Sequence, residues 1–302
     1  MKTTRTLLIA LSLALVSLAA CDKGELKEDE KPVGDTNSAP SSAPAGDDKA
    51  PAGDDKAPVG DDKAPAGDDK APAEAAAVDH SKLDGILKKF VNEKGKVNYK
   101  GLKADEAALG ELKAYNEWVG TADISKYSRD EKLAFYINAY NALTLKAVLD
   151  RYPLKSVLDV KDPDFFKGIK HKVAGEELTL DGLENVKIRG DEFKEARIHF
   201  LVNCASGSCP KLRRDAVTAA NMEALFEAGA KEYVLQETKL DAAKKTLDTS
   251  NIFNWFAEDF KKSSGTVQEF LARYMDPAQA ETVKASSLTF HEYDWSLNEQ
   301  KE

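Results

Sequence analysis

L-A-F-Y-I-N-A-Y-N-A-L-T-L-K-A-V-L, from Leu133 to Leu149, is apolar around nearly its whole circumference, as a helix at the centre of a domain is. Ser128 and Glu131 ahead of it have capping-box spacing, and Tyr152-Pro153 predicts its stop. Lys132 and Lys146 mark the wet side. At 100° per residue Asn138 and Asn141 lie about a third of a turn or more away from it, so both need hydrogen-bond partners inside the protein. Those partners are either loop backbone or a catalytic side chain or substrate amide.

Outward from this helix, Leu83, Ile86, Leu87, Phe90 and Val91 predict an amphipathic helix over 81–91, with Ser81 and Asp84 at capping-box spacing. Val97 to Tyr99 reads as a short extended piece, and Leu109, Leu112 and Tyr115 mark another helix. A hairpin is expected near 169–174 and 177–180, followed by Asp181 and Glu184 as an N-cap and its partner. Further helices are expected around 219–235, 251–261 and 267–275, then an extended piece over 288–293. Many helices with a few short strands predict an α+β fold: a single, mainly helical domain with a small β-sheet over 80–302. About 220 residues suffice for a sizeable core.

R-I-H-F-L-V-N-C-A-S-G-S-C-P-K-L, Arg197 to Leu212, gathers the chemistry. Alternation predicts a strand with Ile198, Phe200 and Val202 on one face and Arg197, His199, Leu201 and Asn203 on the other. A tight loop then runs between Cys204 and Cys209. Pro210 suits a first helical turn, which would put Cys209 near a helix N-terminus, where a thiol pKa falls.

The beginning of the chain reads differently. Lys2 and Arg5 precede an apolar run, Leu7 to Ala20, too short to span a bilayer comfortably. Leu18-Ala19-Ala20-Cys21 resembles the lipobox of bacterial lipoproteins. The resemblance implies a signal peptide over 1–20, cleavage before Cys21 and acylation of its sulfur with palmitate-type chains, anchoring the protein to a membrane of the cell envelope. Asp22 resembles an inner-membrane retention signal. From 21 to 79 the chain is expected to be a disordered tether: four copies of a seven-residue Ala/Pro/Gly/Asp/Lys repeat run over 43–70 without a large apolar side chain. A coil of that length spans roughly 40–45 Å. Residues 22–79 hold 16 acidic and 7 basic residues, enough to account for the formal charge of −9 on the whole chain. The domain itself is thus near neutral, which argues against nucleic acid as a partner.

F-Y-I-N-A-Y-N-A-L (Phe135–Leu143), R-I-H-F (Arg197–Phe200), C-A-S-G-S-C-P (Cys204–Pro210) and Y-D-W-S-L-N (Tyr293–Asn298) occur in order. Together they resemble the domain-of-unknown-function family 547, over about 83–298. The resemblance carries no settled activity. The positions that match its motifs are Asn138, Tyr140, Asn141, Glu184, Arg197, His199, Cys204, Ser208, Cys209 and Pro210.

Two functions remain open on the sequence. One is a thiol-dependent hydrolase or acyltransferase acting on a peptide or amide. Cys209 is then the nucleophile, His199 its base, and Asn138, Asn141 or Glu184 orients the ring. Arg197, Asn203, Cys204, Ser206 and Ser208 bind substrate, with backbone N–H groups of 206–209 as an oxyanion hole. His291 is a rival base. The other is a non-enzymatic binding or scaffold domain for an envelope protein, peptide or glycan, stapled by a Cys204–Cys209 disulfide, as an oxidising compartment favours. The His/Cys spacing is not a standard zinc pattern, no G-x-S-x-G elbow surrounds Ser206 or Ser208, and no phosphate loop or dinucleotide fingerprint is present, so no metal or cofactor is expected.

Overall fold

A computed structural model describes residues 78–301. The expected signal peptide, lipidated Cys21 and tether all lie outside the described residues, apart from the final two tether positions. Among the described residues no helix is long and apolar enough to cross a membrane. The fold is α+β and mainly helical, with two small sheets in place of the single one expected.

Helices α1 (Ser81–Phe90), α2 (Tyr99–Ala104) and α3 (Glu106–Thr121) precede the central helix α4 (Arg129–Arg151). The capping box at α4 forms as the spacing predicts: Ser128 Oγ accepts from Glu131 N–H, and the Glu131 carboxylate accepts from Ser128 N–H. α4 buries sixteen side chains, consistent with its nearly continuous apolar surface. The box expected at α1 does not form. His80 occupies its N-cap, and Asp84 instead accepts from the backbone of Ala216 at 3.0 Å. Val97–Tyr99 is only partly extended, since Tyr99 opens α2 under an Asn98 cap.

The expected hairpin is β1 (His171–Val173) with β2 (Glu176–Leu178), antiparallel, Lys172 opposite Glu177. Thr179, not Asp181, caps the single turn α5 (Leu180–Gly182). That turn runs into a π-helix over Leu183–Ile188, which carries Glu184. α6 (Met222–Glu237) leads to β3 (Lys239–Asp241) and β4 (Thr246–Ser250). α7 (Ile252–Trp255), α8 (Ala257–Ser264), α9 (Val267–Ala272) and α10 (Ala280–Lys284) follow, then β5 (Ser287–His291). β4 pairs antiparallel with β3 and parallel with β5.

The strand expected at Arg197–Asn203 is a 3-10 turn, Ala196–Phe200. The Glu195 side chain accepts from the Arg197 N–H at 2.9 Å and starts it. The segment lies between two apolar clusters: Ile198, Leu201 and Val202 join the larger one around α4, Ala196 and Phe200 a smaller one around Phe253, Phe260 and Phe270. Contact on both sides removes the wet face that alternation implied, so His199 and Asn203 are buried. No helix begins at Pro210 either. The chain runs without regular structure to α6, because Leu212, Ala216 and Val217 bury there and Asn138 holds both backbone groups of Val217.

Candidate functional site

A cavity of about 260 Å³ opens where the two clusters meet. α4 supplies Tyr140 to it, the π-helix Glu184, the 3-10 turn His199, the loop Cys204 and Cys209, and the segment after β5 Tyr293.

His199 is fully buried and stacks on Phe256 with ring centroids 4.0 Å apart. Its Nε2 lies 2.9 Å from Asp259 Oδ2, and its Nδ1 lies 3.9 Å from Glu184 Oε1. Burial holds the imidazole below its ordinary pKa, against the pull of Asp259. Asp259 goes the other way. Burial opposes its charge, but hydrogen bonds from His199 and from Arg189 Nε at 2.6 Å hold it well below the usual carboxylate range. A neutral ring therefore donates Nε2–H to an ionised Asp259 and leaves Nδ1 as an acceptor toward Glu184. Burial pushes Glu184 up to about 7, against a hydrogen bond from the Tyr140 hydroxyl. Near neutral pH both its protonated and its ionised forms are therefore populated.

Both cysteines are free, and the expected disulfide is not formed. The two thiols differ sharply. Cys204 is lowered to about 6, first by the hydrogen bond from the Cys209 thiol; the Ser206 hydroxyl at 3.0 Å and the Tyr293 hydroxyl at 3.4 Å add to this against the cost of burial. Burial pushes Cys209 well up, and the neighbouring charge on Cys204 adds to that. Cys209 Sγ accepts from the Cys204 N–H at 3.0 Å. The thiol held acidic is thus Cys204, where the expected helix N-terminus pointed to Cys209. Cys209 has no helix N-terminus beside it, and both nitrogens of His199 face carboxylates.

Several other expected site residues are structural. Asn138 pairs with Val217 N–H and C=O, and Asn141 with Leu201 C=O (2.8 Å) and Asn203 N–H (2.8 Å), so neither amide is left to orient His199. Asn203 accepts from Ala205 N–H and donates to Pro210 C=O, closing the thiol loop upon itself. Arg197 forks onto Glu195, Glu223 and Glu227 and lines a different groove. Ser208 N–H goes to Asp294 C=O and Cys209 N–H to Ser206 C=O, so the expected oxyanion hole is already occupied at these two groups. Ser206 alone of the expected binding hydroxyls touches the reactive sulfur. His291 sits between Glu237 and Asp248, away from the cavity lining.

A strap over 293–300 holds the loop from outside. Ser208 Oγ accepts from Asp294 N–H, Ala205 C=O accepts from Asn298 N–H, and Asn298 also bonds Tyr99 and Asn203. Gly207 lies directly beneath it, and a Cβ there would push the Asp294 carboxylate aside. Sequence reasoning missed Asp259 and the contact of Tyr293 with sulfur. The Tyr293–Asn298 motif was the signal for the latter; nothing local distinguishes Asp259 from other exposed-face helix acids.

Residues 124–234, which include α4, Glu184, His199 and both thiols, match the family described as protein of unknown function, DUF547. That match covers a little over a third of the 302-residue chain. No curated protein and no solved structure matches the chain. In this DUF547 segment the cavity has its thiols, its histidine and Glu184, while Asp259 and Tyr293 come from beyond it. Among the described residues no group of three or more His, Cys, Asp and Glu is placed to hold a metal ion.

Proposed function

We propose that the domain is a thiol-dependent hydrolase or acyltransferase acting on an amide or peptide bond, with Cys204 as nucleophile. One observation carries the reading: a thiol held acidic and a carboxyl held near neutrality face one small cavity. The Cys204 thiolate attacks the amide carbonyl. As the S–C bond forms and the C–N bond breaks, Glu184 gives its proton to the leaving amine. Water or an acceptor amine or hydroxyl then attacks the thioester, returns a proton to the Glu184 carboxylate and releases the thiolate. Asp259 and the Phe256 ring fix His199, whose Nδ1 faces Glu184 across 3.9 Å. The Ser206 and Tyr293 hydroxyls steady the sulfur and are the donors nearest to the developing oxyanion.

Alkylation tests this. Iodoacetamide under native conditions should modify Cys204 ahead of Cys209, with a rate that rises through about pH 6 and is flat above neutrality. Preferential modification of Cys209, or a rate still climbing past pH 8 as for an ordinary thiol, rejects the mechanism. Non-enzymatic binding is the second reading. The aromatic mouth of the cavity, formed by Trp255 and Trp295, favours it, and an unreactive Cys204 would leave it standing.

For the N-terminal segment we propose acylation of Cys21 and residence at the cell envelope, supported by the lipobox-like Leu18–Cys21 and the tether composition. Incorporation of labelled palmitate that persists in Cys21→Ser contradicts it.

A further inference from the structure

Two of the three tryptophans in the chain, Trp255 and Trp295, stand at the mouth of the thiol cavity. Trp255 is 48 % exposed, unusual for the largest apolar side chain. Trp295 lies 5.9 Å from it, the ring planes inclined by only 30°. Tyr293 fills the angle behind them, 5.0 Å from Trp255 and 4.8 Å from Trp295. The rings pack on one another and leave no slot between them. Trp255 leaves about half of its surface to solvent, with the partly buried Trp295 and Tyr293 packed beside it.

We propose that this aromatic cluster is a saccharide subsite, so that the bond attacked by Cys204 belongs to a sugar-linked acyl or amide group; the second clause rests on the thiol reading above. Ring faces are negative and attract C–H groups polarised by neighbouring oxygens, which one face of a pyranose offers. A ring stacked there turns its hydroxyls to the edge of the cavity, where the Lys167 ammonium, the Asp181 carboxylate and the Asn185 amide supply donors and acceptors. An aliphatic chain makes no use of these polar groups, whereas sugar hydroxyls pair with them. A nucleotide would need cations for its phosphates, and Lys167 is the sole Lys or Arg on the lining, against Asp181 and Glu184. The volume of about 260 Å³ falls below the roughly 300–1,000 Å³ of sites for drug-sized ligands, so one ring or one acyl group fits at a time.

The test is calorimetric titration of the full chain with N-acetylglucosamine trisaccharide and, separately, with octanamide. The saccharide should give saturable heat with the wild type and with Cys204→Ser, at least about tenfold weaker affinity with Trp255→Ala, and wild-type affinity with Trp255→Phe, which keeps a ring. Trp255→Ala should keep the urea midpoint of the wild type, since its ring is about half exposed, which shows that its fold is intact. No saturable heat, Trp255→Ala binding as the wild type does, or binding of octanamide alone overturns the subsite. Saccharide binding with an unreactive Cys204 defeats the thiol mechanism and leaves the subsite standing. A reactive Cys204 without saccharide binding does the reverse.

Discussion

Cys204 and Cys209 share one loop and one hydrogen bond, yet they are driven to opposite protonation states. At Cys204 the hydrogen bonds from Cys209, Ser206 and Tyr293 outweigh burial, whereas at Cys209 burial and the neighbouring Cys204 charge outweigh the Cys204 N–H and the Tyr293 hydroxyl. Glu184 is the complementary residue. It sits in a widened π turn, a geometry that often marks function, and burial keeps it protonated about half the time near pH 7. Glu184→Gln removes the exchangeable proton while preserving shape. Turnover of an amide substrate should fall by about 10²–10⁴-fold, with Cys204 alkylation within a few-fold of wild type. Equal loss of alkylation would mean that Glu184 shapes the thiol rather than moves protons. At this scale the sequence was a partial guide. It named Glu184, His199 and both thiols, but the expected helix N-terminus favoured Cys209, whereas one of the donors that Cys204 meets, Tyr293, lies 89 positions from it.

At the scale of elements, α4 works as a clamp. Asn138 and Asn141 grip the segment after Pro210 and the junction between the 3-10 turn and the thiol loop. Asn141→Ala strands a buried carbonyl and a buried N–H, at roughly 1–3 kcal/mol each. The urea midpoint should drop with an unchanged slope, and a midpoint within error of wild type would mean the groups find other partners. The strap clamps from the other side. Asn298→Ala frees it from Tyr99 and Asn203, so the pH midpoint of Cys204 alkylation should move up toward that of an ordinary thiol as Tyr293 loosens. An unmoved midpoint would show that Tyr293 is held by its ring contacts alone. Elements with a local period were legible: α4 and its box, α1, α3 and the β1–β2 hairpin all follow from spacing and turn chemistry. The Ala196–Phe200 turn was not, since R-I-H-F-L-V satisfies both a two-residue alternation and contact on two sides. β3 and β4 escaped because they are short and polar, and β4 finds its parallel partner, β5, some forty residues on.

Across the whole molecule, two aromatic-rich clusters are joined through consecutive residues, with the cavity at the seam. Two histidines far from it tune its tolerance of acid. His80 and His171 are each lowered to about 4, first by burial, and each keeps an unpartnered buried Nε2. A histidine whose folded pKa lies below its unfolded value of 6.5 supports folding above 6.5. That support is lost as pH falls from 6.5 through about 4. For His80, only 5 % exposed, the loss approaches about 3 kcal/mol. The urea midpoint should therefore decline between pH 6.5 and 4, less steeply in His80→Gln; identical slopes would exclude His80 as a cause. The strap has one more consequence, in time rather than in space. Cys204 is synthesised nearly ninety residues before Tyr293, so a growing polypeptide on the ribosome carries this thiol without its Tyr293 partner until translation has passed the strap. The surroundings of Cys204 are completed late, after nearly all of the domain has been made.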